Sequence, residues 1–436
     1  MPSSTYPKEL VVKFRRDPGP DLPHIDQLEN HLVEKQICDW SQVKAICKEA
    51  TLNRLFNEIE TCDKLRSTAE HLEPSKKTKV DFRNYFVLQN ISDDVDLSAL
   101  KAKILSWKQV ESVEVLPKVG YPQAFLQPAS AGTGAVTVRP ITGGAGEMIQ
   151  VADIEGGWAN NHPAFSQLTP RIFRGNNMPW VVDPLATEHG TNVLGVLCGN
   201  DSANQFSGVA PNVSAVFLVS HGNSGSGVVR AITDAAAHLL RAAHHTGIIL
   251  LEVEFSPAPG QGPYPAELGA TAIFDAIRAA TDAGITVVEA AGNGNSNLDP
   301  VLASRDSGAI IVGGGVPSEA GGWLWWPGSN FGRRIDCFAA GQNVHTATTQ
   351  DMGYAFRFAG TSSAAAIIAG VAAVTQSMAL HARGTALPPA ALRNLLRDPK
   401  FGTASVSNVP GEAGRWIGNM PDLALIAQHI NNTGPS

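Results

Sequence analysis

The sequence predicts an α/β protein, a three-layer, doubly wound parallel sheet with a smaller α+β domain before it. Lysine and glycine are divided unevenly along the 436 residues: residues 1–118 hold 13 of the 14 lysines and 1 of the 42 glycines. Such a change of composition indicates that two separately built domains meet near residue 119. Beyond about residue 148, short apolar runs alternate with alanine-rich helical segments, which is typical of a parallel sheet covered by helices on both faces.

The first domain, residues 1–118, combines strand-like and helix-like stretches, which predicts a small α+β sandwich. The strand-like runs are ELVVKF, NYFVLQNI and VESVEVLP, and the helix-like stretches are WSQVKAICKEATLNRLFNEIE and LSALKAKILSWKQ. Residues 119–147 are rich in glycine, proline, serine and alanine, so they are expected to form an exposed linker.

The second domain, residues 148–436, holds the predicted parallel sheet. Its strands are predicted from MIQVADI, SAVFLV, IILLEVEF, ITVVEAAG and AIIVGGG, and its helices from VVRAITDAAAHLLRAAHH and ATAIFDAIRAATDAG. Functional groups collect at the carboxyl ends of strands in a doubly wound sheet. Polar side chains at those ends are therefore the candidates for function.

Composition argues against several partners. The formal net charge is −7 and no basic block occurs, so nucleic acid is not expected as a partner. No apolar run approaches the ~20 residues that a membrane span needs, so no membrane is expected either. The N-terminal stretch lacks the apolar core of a signal peptide, and the five cysteines show no metal-like spacing. We therefore expect a cytoplasmic protein, or one secreted by a route without a visible signal peptide.

Four polar residues stand where predicted strands end or helices begin. Asp153 stands at the predicted strand end in MIQVADIEGG, His189 lies in EHGTNVLGVLCG, Asn293 follows ITVVEAAG, and Ser362 opens the small-residue helix GTSSAAAIIAG. Each alone has a structural explanation: a turn cap, a core histidine, a positive-φ turn and a helix cap. Together they supply acyl-transfer chemistry, since a serine nucleophile needs a base, the base needs an orienting carboxylate, and the oxyanion needs a donor.

These segments and their order resemble the subtilisin-like serine peptidases, the subtilases. The matching segments are HGTNVLGVLCG, GVAPNVSAVFLV, AAGNGN, SNFGRRIDCFAAG and GTSSAAAIIAG. The resemblance runs from about residue 149 to the end, and it implies a subtilisin-like fold and a serine endopeptidase that cleaves proteins or peptides through an acyl-enzyme. It implies that Ser362 is the nucleophile, His189 the base, Asp153 the orienting acid and Asn293 the oxyanion donor.

The chain departs from the family pattern in three places. Ala366 stands where a proline is usual, with no consequence for the chemistry. The usual Asp-Ser/Thr-Gly is Asp-Ile-Glu-Gly-Gly, and the second acid, Glu155, is expected to be a solvated turn residue. The strand that commonly reads Ser-x-Gly is LLEVEFSPAPG, in which a period of two places Glu252 and Glu254 on one face and Phe255 on the other.

This departure concerns the residues that would bind substrate. If the strand lines the pocket as in the family, Glu252, Glu254, Phe255 and Glu289 are the candidate substrate-binding residues, and an acid among them would select a basic residue before the scissile bond. The alternative is that these acids face solvent or cap a helix, and that alternative is favoured.

By the same resemblance, residues 1–118 are expected to be a ferredoxin-like, inhibitory prodomain that docks on the catalytic domain, with a processing site in the linker 119–147. The chain would then be a self-processing zymogen; an unrelated interaction domain is the alternative. No cofactor or metal is required, and no loop shows a calcium-ligand series, although subtilases often bind structural calcium. Rival functions are a catalytically silent subtilase that acts as a binding module, and an esterase or transpeptidase that uses the same residues.

Overall fold

The structure is a computed structural model of the chain, and it describes residues 8–15, 22–23, 25–54, 84–92, 94–115, 132–168, 171–175, 183–222, 224–241, 247–256, 262–302, 305–318, 322–405 and 414–433. Contacts divide the chain into two compact units, Met1–Gly120 and Tyr121–Ser436. This division falls within two residues of the boundary predicted from composition.

The N-terminal unit is a four-stranded antiparallel sheet with helices. Its described elements are β1 (Lys8–Phe14), α1 (Leu28–Glu34), α2 (Ser41–Ile46), β2 (Thr51–Arg54), β3 (Tyr85–Ile91), α3 (Leu97–Leu105) and β4 (Val110–Val115). The strands lie in the order β2-β3-β1-β4, and all three pairings are antiparallel. The predicted α+β fold is confirmed. Its described elements follow the ferredoxin-like β-α-β-β-α-β pattern with one additional helix, because α1 and α2 both lie between β1 and β2.

Alternation along β1 builds the core of this unit. Leu10, Val12 and Phe14 are buried, and Phe86 and Leu88 of the neighbouring β3 join the same cluster. Because side chains alternate across a strand, these residues share the face that the helices cover.

The helix predicted from Trp40 onward is shorter in the structure. Helix α2 ends at Ile46, and residues 51–54 form a strand that pairs with β3. The backbone N–H of Leu52 also donates to Glu29 of α1 at 2.9 Å. Tertiary pairing therefore decides the conformation of a segment whose local pattern favours a helix.

The C-terminal unit contains the large sheet. Its strands are β5 (Gln150–Glu155), β6 (Ile172–Arg174), β7 (Asn200–Asp201), β8 (Phe206–Ser207), β9 (Ala215–Ser220), β10 (Gly247–Leu251), β11 (Glu254–Phe255), β12 (Tyr264–Pro265), β13 (Thr286–Ala290), β14 (Ile310–Pro317), β15 (Trp323–Trp325), β16 (Cys337–Ala340), β17 (Val344–Ala347), β18 (Tyr354–Phe358), β19 (Gly402–Ala404) and β20 (Asn419–Pro421). Its helices are α4 (Ala135–Val138), α5 (Pro184–Cys198), α6 (Gly225–Leu239), α7 (Thr271–Asp282), α8 (Asp299–Leu302), α9 (Thr361–Arg383), α10 (Pro389–Arg397) and α11 (Leu423–Asn432).

Ten of these strands form one mostly parallel sheet. Nine lie in the order β19-β20-β16-β14-β13-β10-β5-β9-β6, and β15 pairs with β14 outside that path. The pairs β14–β15 and β19–β20 are antiparallel. Apolar side chains of α5 and α9 pack on one face of the sheet, and those of α6 and α7 pack on the other. The predicted three-layer α/β fold is therefore confirmed.

Helix α9 lies in the middle of one layer. The helix has 23 residues and contains an 18-residue window with a mean hydropathy of 1.6, so this segment has the length and composition of a membrane span, contrary to the expectation from the sequence. The whole of its apolar window is buried inside the protein, as in the core helix of an α/β fold. At Gly370 an added Cβ would lie 2.5 Å from Cβ of Val209, so a glycine is needed for this close packing.

The expected exposed linker is corrected over residues 132–147. Ala135 and Val138 of α4 are fully buried in the core of the C-terminal unit. An added Cβ on Gly143 would lie 2.8 Å from the backbone of Met378 in α9. The small residues that suggested flexibility therefore serve close packing instead. Residues 119–131, the rest of the expected linker, lie outside the described residues.

We expect Gly370→Ala to lower the free energy of unfolding by about 1–3 kcal/mol, because the new methyl group overlaps Val209. The matched control is Gly225→Ala at the start of α6, where an added Cβ meets nothing within 4 Å. The control is expected to change stability by less than about 0.5 kcal/mol. Urea unfolding of both variants is the measurement, and equal stabilities would contradict the packing described for α9.

Candidate active site

Two acids of β5 face the layer of α5 and α9. Ala152 and Ile154 pack with α6 and α7, whereas Val151 packs with α5 and α9. Since side chains alternate along a strand, Asp153 and Glu155 share the face of Val151. Both acids are buried, and Glu155 is the last residue of the strand.

Helix α5 carries His189 and packs on the turn that follows β5. Asp183 caps the helix by accepting from the backbone N–H of Leu185 at 2.9 Å. An added Cβ on Gly190 would lie 2.3 Å from the carbonyl oxygen of Gly157. The glycine after His189 therefore lets the helix approach the end of β5 closely.

The acid that contacts His189 is Glu155. Its Oε1 lies 2.6 Å from Nδ1 of His189. Asp153 instead accepts from the indole Nε1 of Trp158 at 2.8 Å, and its Oδ1 has no hydrogen-bond partner among the described residues. Two expectations are corrected here: Asp153 does not hold the imidazole, and Glu155 is a buried partner of His189 rather than a solvated turn residue.

Burial and charge determine the protonation of these groups. Burial raises the pKa of Asp153 well above its ordinary value, and the neighbouring Glu155 raises it further. Burial lowers the pKa of His189, but the charge and hydrogen bond of Glu155 outweigh it, so the pKa is raised overall. Burial thus favours the neutral form of Asp153, and the negative charge that favours an imidazolium comes chiefly from Glu155.

Asn293 lies beside Ser362, at the start of α9. Gly360 precedes the helix with a φ of +99°, in a region that favours glycine. The backbone N–H and the hydroxyl of Thr361 both donate to Oδ1 of Asn293, at 2.8 and 3.1 Å. These contacts hold the amide oxygen, and the amide nitrogen Nδ2 is left as the donating end of the side chain.

Two glutamates after β10 lie against Asn293 and Ser362. Oε2 of Glu254 accepts from Nδ2 of Asn293 at 2.9 Å and from its backbone N–H at 3.0 Å. Burial raises the pKa of Glu252 well above its ordinary value and Glu155 raises it further, while the nearby Ser362 hydroxyl opposes the rise. Neither oxygen of Glu252 accepts a hydrogen bond of normal geometry in the described part of the chain.

The hydrogen bonds of the described residues do not include one between His189 and Ser362. Acidic side chains lie near both residues. Glu155 contacts His189, and both Glu155 and Ser362 are close enough to Glu252 to influence its pKa. Hydrogen bonds between catalytic groups are often long without substrate and shorten when it binds.

Glu289 and Phe255 lie away from these groups. Glu289 is fully buried, and its Oε2 accepts from the backbone N–H of Glu267 at 3.1 Å. Phe255 packs with α6 and α7, on the face opposite to Glu252, as the alternation predicted. The expectation that Glu289 and Phe255 bind substrate is corrected, because one is enclosed in the protein and the other faces the wrong layer.

Sequence reasoning did not identify Glu188, which anchors the hairpin of β17 and β18 to α5. Its carboxylate accepts from the Thr348 hydroxyl at 2.6 Å and from the backbone N–H of Thr349 at 2.7 Å. Burial would raise the pKa of Glu188, but these hydrogen bonds outweigh it and lower the pKa to about 2. Phe358 of β18 meets the ring of His189 edge-on, with centroids 5.6 Å apart. The hairpin thus packs against the imidazole.

A local signal for Glu155 was present in the sequence. The acid that ends the strand and directly precedes two glycines is Glu155, and a period of two places it on the same face as Asp153. Glu188 carries no such signal, because its partner Thr348 is 160 residues away in the chain.

The arrangement suits acyl transfer. A carboxylate on Nδ1 of an imidazole leaves Nε2 to act as a base, and a serine at a helix start beside an amide donor suits a nucleophile with an oxyanion site. Among the described residues, no group of three or more histidines, cysteines and acids is arranged to hold a metal ion.

We expect Glu155→Gln to lower the pKa of His189, because it removes the largest contribution that favours the imidazolium. Asp153→Asn is expected to lower the pKa of His189 less, since Asp153 makes a smaller contribution to it than Glu155 does. NMR titration of His189 in the Ser362→Ala background is the measurement. A larger change in the Asp153 variant would contradict the assignment of the two acids.

The chain is similar in sequence to proteins of known activity. The family model described as "Subtilase family" matches residues 146–411. An extracellular protease of Xanthomonas campestris pv. campestris is 37% identical over 134 residues, which cover 29% of this chain and 22% of that protein. Subtilisin DY of Bacillus licheniformis is 31% identical over 193 residues, covering 43% of this chain and 63% of that protein. Alkaline elastase YaB of Bacillus sp. (strain YaB) is 26% identical over 320 residues, which cover 72% of this chain and 74% of that protein.

The chain thus spans less than two thirds of the length of the first two of these relatives. The family match, in contrast, covers more than half of the chain itself and includes Glu155, His189, Asn293 and Ser362. This chain belongs to the subtilase family.

Proposed function

We propose that this chain is a serine endopeptidase in which Ser362 is the nucleophile, His189 the general base and Glu155 the acid that orients the base. The observation that carries the proposal is the 2.6 Å contact between Glu155 and Nδ1 of His189, on a helix that packs against the helix of Ser362. Membership of the subtilase family and the protease names of its relatives support it.

In the proposed reaction, Oγ of Ser362 attacks the carbonyl carbon of the scissile bond while its proton passes to Nε2 of His189. The Nδ1–H stays bonded to Glu155, which stabilises the imidazolium, and Asn293 donates from Nδ2 to the oxyanion. The imidazolium then protonates the leaving amine, the C–N bond breaks, and an acyl-ester remains. Water, activated by His189, hydrolyses the ester and restores the serine. The reaction consumes one water and requires no cofactor.

Within this proposal, Glu155 takes the place that aspartate has in the usual family pattern. Its side chain is one methylene longer, and it reaches His189 from the last position of β5. Asp153 then has a packing role, in which its carboxyl group accepts a hydrogen bond from the indole of Trp158.

We also propose that the N-terminal unit is a prodomain, and that the chain is a zymogen which cuts itself between the two units. The ferredoxin-like fold of that unit and its place before the subtilase match support this proposal. Because Thr133, Ala135 and Val138 are buried in the C-terminal unit, the processing site is expected within 119–131 rather than within 132–147.

We expect Glu155→Gln to lower kcat/KM on a peptide amide by about 10³–10⁴-fold, as loss of the orienting acid does in such triads. Asp153→Asn keeps an acceptor for Trp158 and is expected to cost less than about 10-fold. Activity of the wild type is expected to rise with pH through the raised pKa of His189, because the base must be neutral. Fluorogenic peptide hydrolysis across pH is the measurement.

The control for that series is Ser362→Ala, which removes the nucleophile and must also abolish labelling by a fluorophosphonate. A wild-type protein that is not labelled at Ser362 would contradict the enzyme assignment and favour the silent binding module. Faster turnover of an ester than of the matched amide, with transfer to an added amine, would instead favour the esterase or transpeptidase.

For the zymogen, we expect incubation of the purified full chain to produce a cut within residues 119–131, detected by intact-mass spectrometry. The Ser362→Ala protein should stay whole under the same conditions, because the cut needs the nucleophile. The same cut at the same rate in both proteins would rule out self-processing.

A further inference from the structure

The carboxylate of Glu254 accepts a hydrogen bond from the side-chain amide of Asn293, which the proposed reaction needs as the oxyanion donor. Donors of an oxyanion site lie about 2.7–3.1 Å from the oxygen that they stabilise. Oε2 of Glu254 lies 2.9 Å from Nδ2 of Asn293, which is within that range, and it also takes the backbone N–H of Asn293 at 3.0 Å. An oxygen of the protein itself therefore stands at the distance from Asn293 expected for the substrate oxyanion.

The Glu254 side chain is free to move away from this position. Glu254 is exposed, in contrast to the buried Glu252 two residues earlier. The ion pairs of the described residues around the site join Glu155 to His189 and Glu188 to Arg357, and none of them includes Glu254. Its contact with Asn293 can therefore be exchanged for a contact with a cation supplied from outside the chain.

Charge at the site favours such a cation. Both Glu155 and Glu254 help to raise the pKa of His189, so the field of both side chains reaches the imidazole. Carboxylates gathered at one site attract positively charged ligands.

We propose that Glu254 is a specificity-determining residue that blocks Asn293 in the free enzyme and releases it to substrates with lysine or arginine before the scissile bond. This inference rests on the proposed function. The side chain of that substrate residue leaves the chain next to the carbonyl carbon under attack, and its cation lies at the far end of a long, flexible stem. The exposed carboxylate of Glu254 can pair with that cation once it has turned away from Asn293. The ion pair with Glu254 replaces the charge-assisted hydrogen bonds that Glu254 gives up. A neutral side chain offers no replacement, and its carbonyl oxygen must compete with the carboxylate for the amide.

The test uses two fluorogenic peptide amides that differ in one residue before the scissile bond, lysine or norleucine. The wild type is expected to prefer the lysine peptide by about 10-fold or more in kcat/KM, the lower end of what close charge pairs across an interface contribute. Glu254→Ala is expected to remove that preference in two ways: the lysine peptide loses its ion pair, and the norleucine peptide turns over faster because Asn293 is unblocked. Asp275→Asn, an exposed acid on α7, is the matched charge control and should keep the wild-type ratio.

Labelling by an uncharged fluorophosphonate distinguishes the role of Glu254 from the proposed function of the whole site. Its phosphoryl oxygen needs Asn293, so Glu254→Ala should be labelled at Ser362 faster than the wild type. If both proteins are labelled and the ratio of kcat/KM between the lysine and norleucine peptides is unchanged in Glu254→Ala, the role of Glu254 is overturned and the proposed function stays intact. An equal loss of kcat/KM on both peptides in Glu254→Ala would also overturn the role of Glu254. Absence of labelling in every variant would overturn the proposed function, and this inference with it.

Discussion

The contact between Glu155 and His189 is the interaction on which the site depends. It joins the last residue of strand β5 to helix α5, across 34 residues of chain. The contact is possible because α5 packs directly on the turn after β5, where an added Cβ on Gly190 would overlap the carbonyl oxygen of Gly157. A glycine without catalytic chemistry thus permits the close approach of α5 to the end of β5. Glu188, the neighbour of His189, ties the same helix to the β17–β18 hairpin, so the imidazole is held from both sides.

Acidic side chains make this site unfavourable for folding and suitable for chemistry. Asp153 and Glu252 are both buried with raised pKa values, which means that folding removes their carboxyl groups from water without full hydrogen bonding. Strongly shifted groups gathered in one place are typical of functional sites. The sheet supports them with apolar layers on both faces, and the fully buried part of α9 carries Ser362 on a rigid element. The stability of the core therefore maintains a set of polar groups that would not assemble by itself.

Much of the fold could be predicted from the sequence, because periodicity reports which side chains are buried. The runs that predicted β5, β9, β10, β13 and β14 are strands of one sheet, and α6 and α7 cover it as expected. The failures share one cause. Residues 51–54 look helical but pair with β3, and residues 132–147 look like a linker but pack under α9 and α11. Local composition describes what a segment prefers alone, whereas its neighbours in space decide what it does.

The sequence by itself singled out the serine, the histidine and the asparagine as candidates. Ser362, His189 and Asn293 each lie in a segment that matches the subtilase pattern, rich in glycines and small residues, so the order and content of those segments were sufficient to select them. The tertiary structure alone decided between Asp153 and Glu155, because both share one face of β5 and the distance to a helix elsewhere in the chain selects one of them. It also decided that Glu254 bonds Asn293, a contact across 39 residues that strand alternation cannot specify. Alternation along a strand predicts which face of the sheet a side chain lies on. Packing between elements decides which residues that side chain contacts.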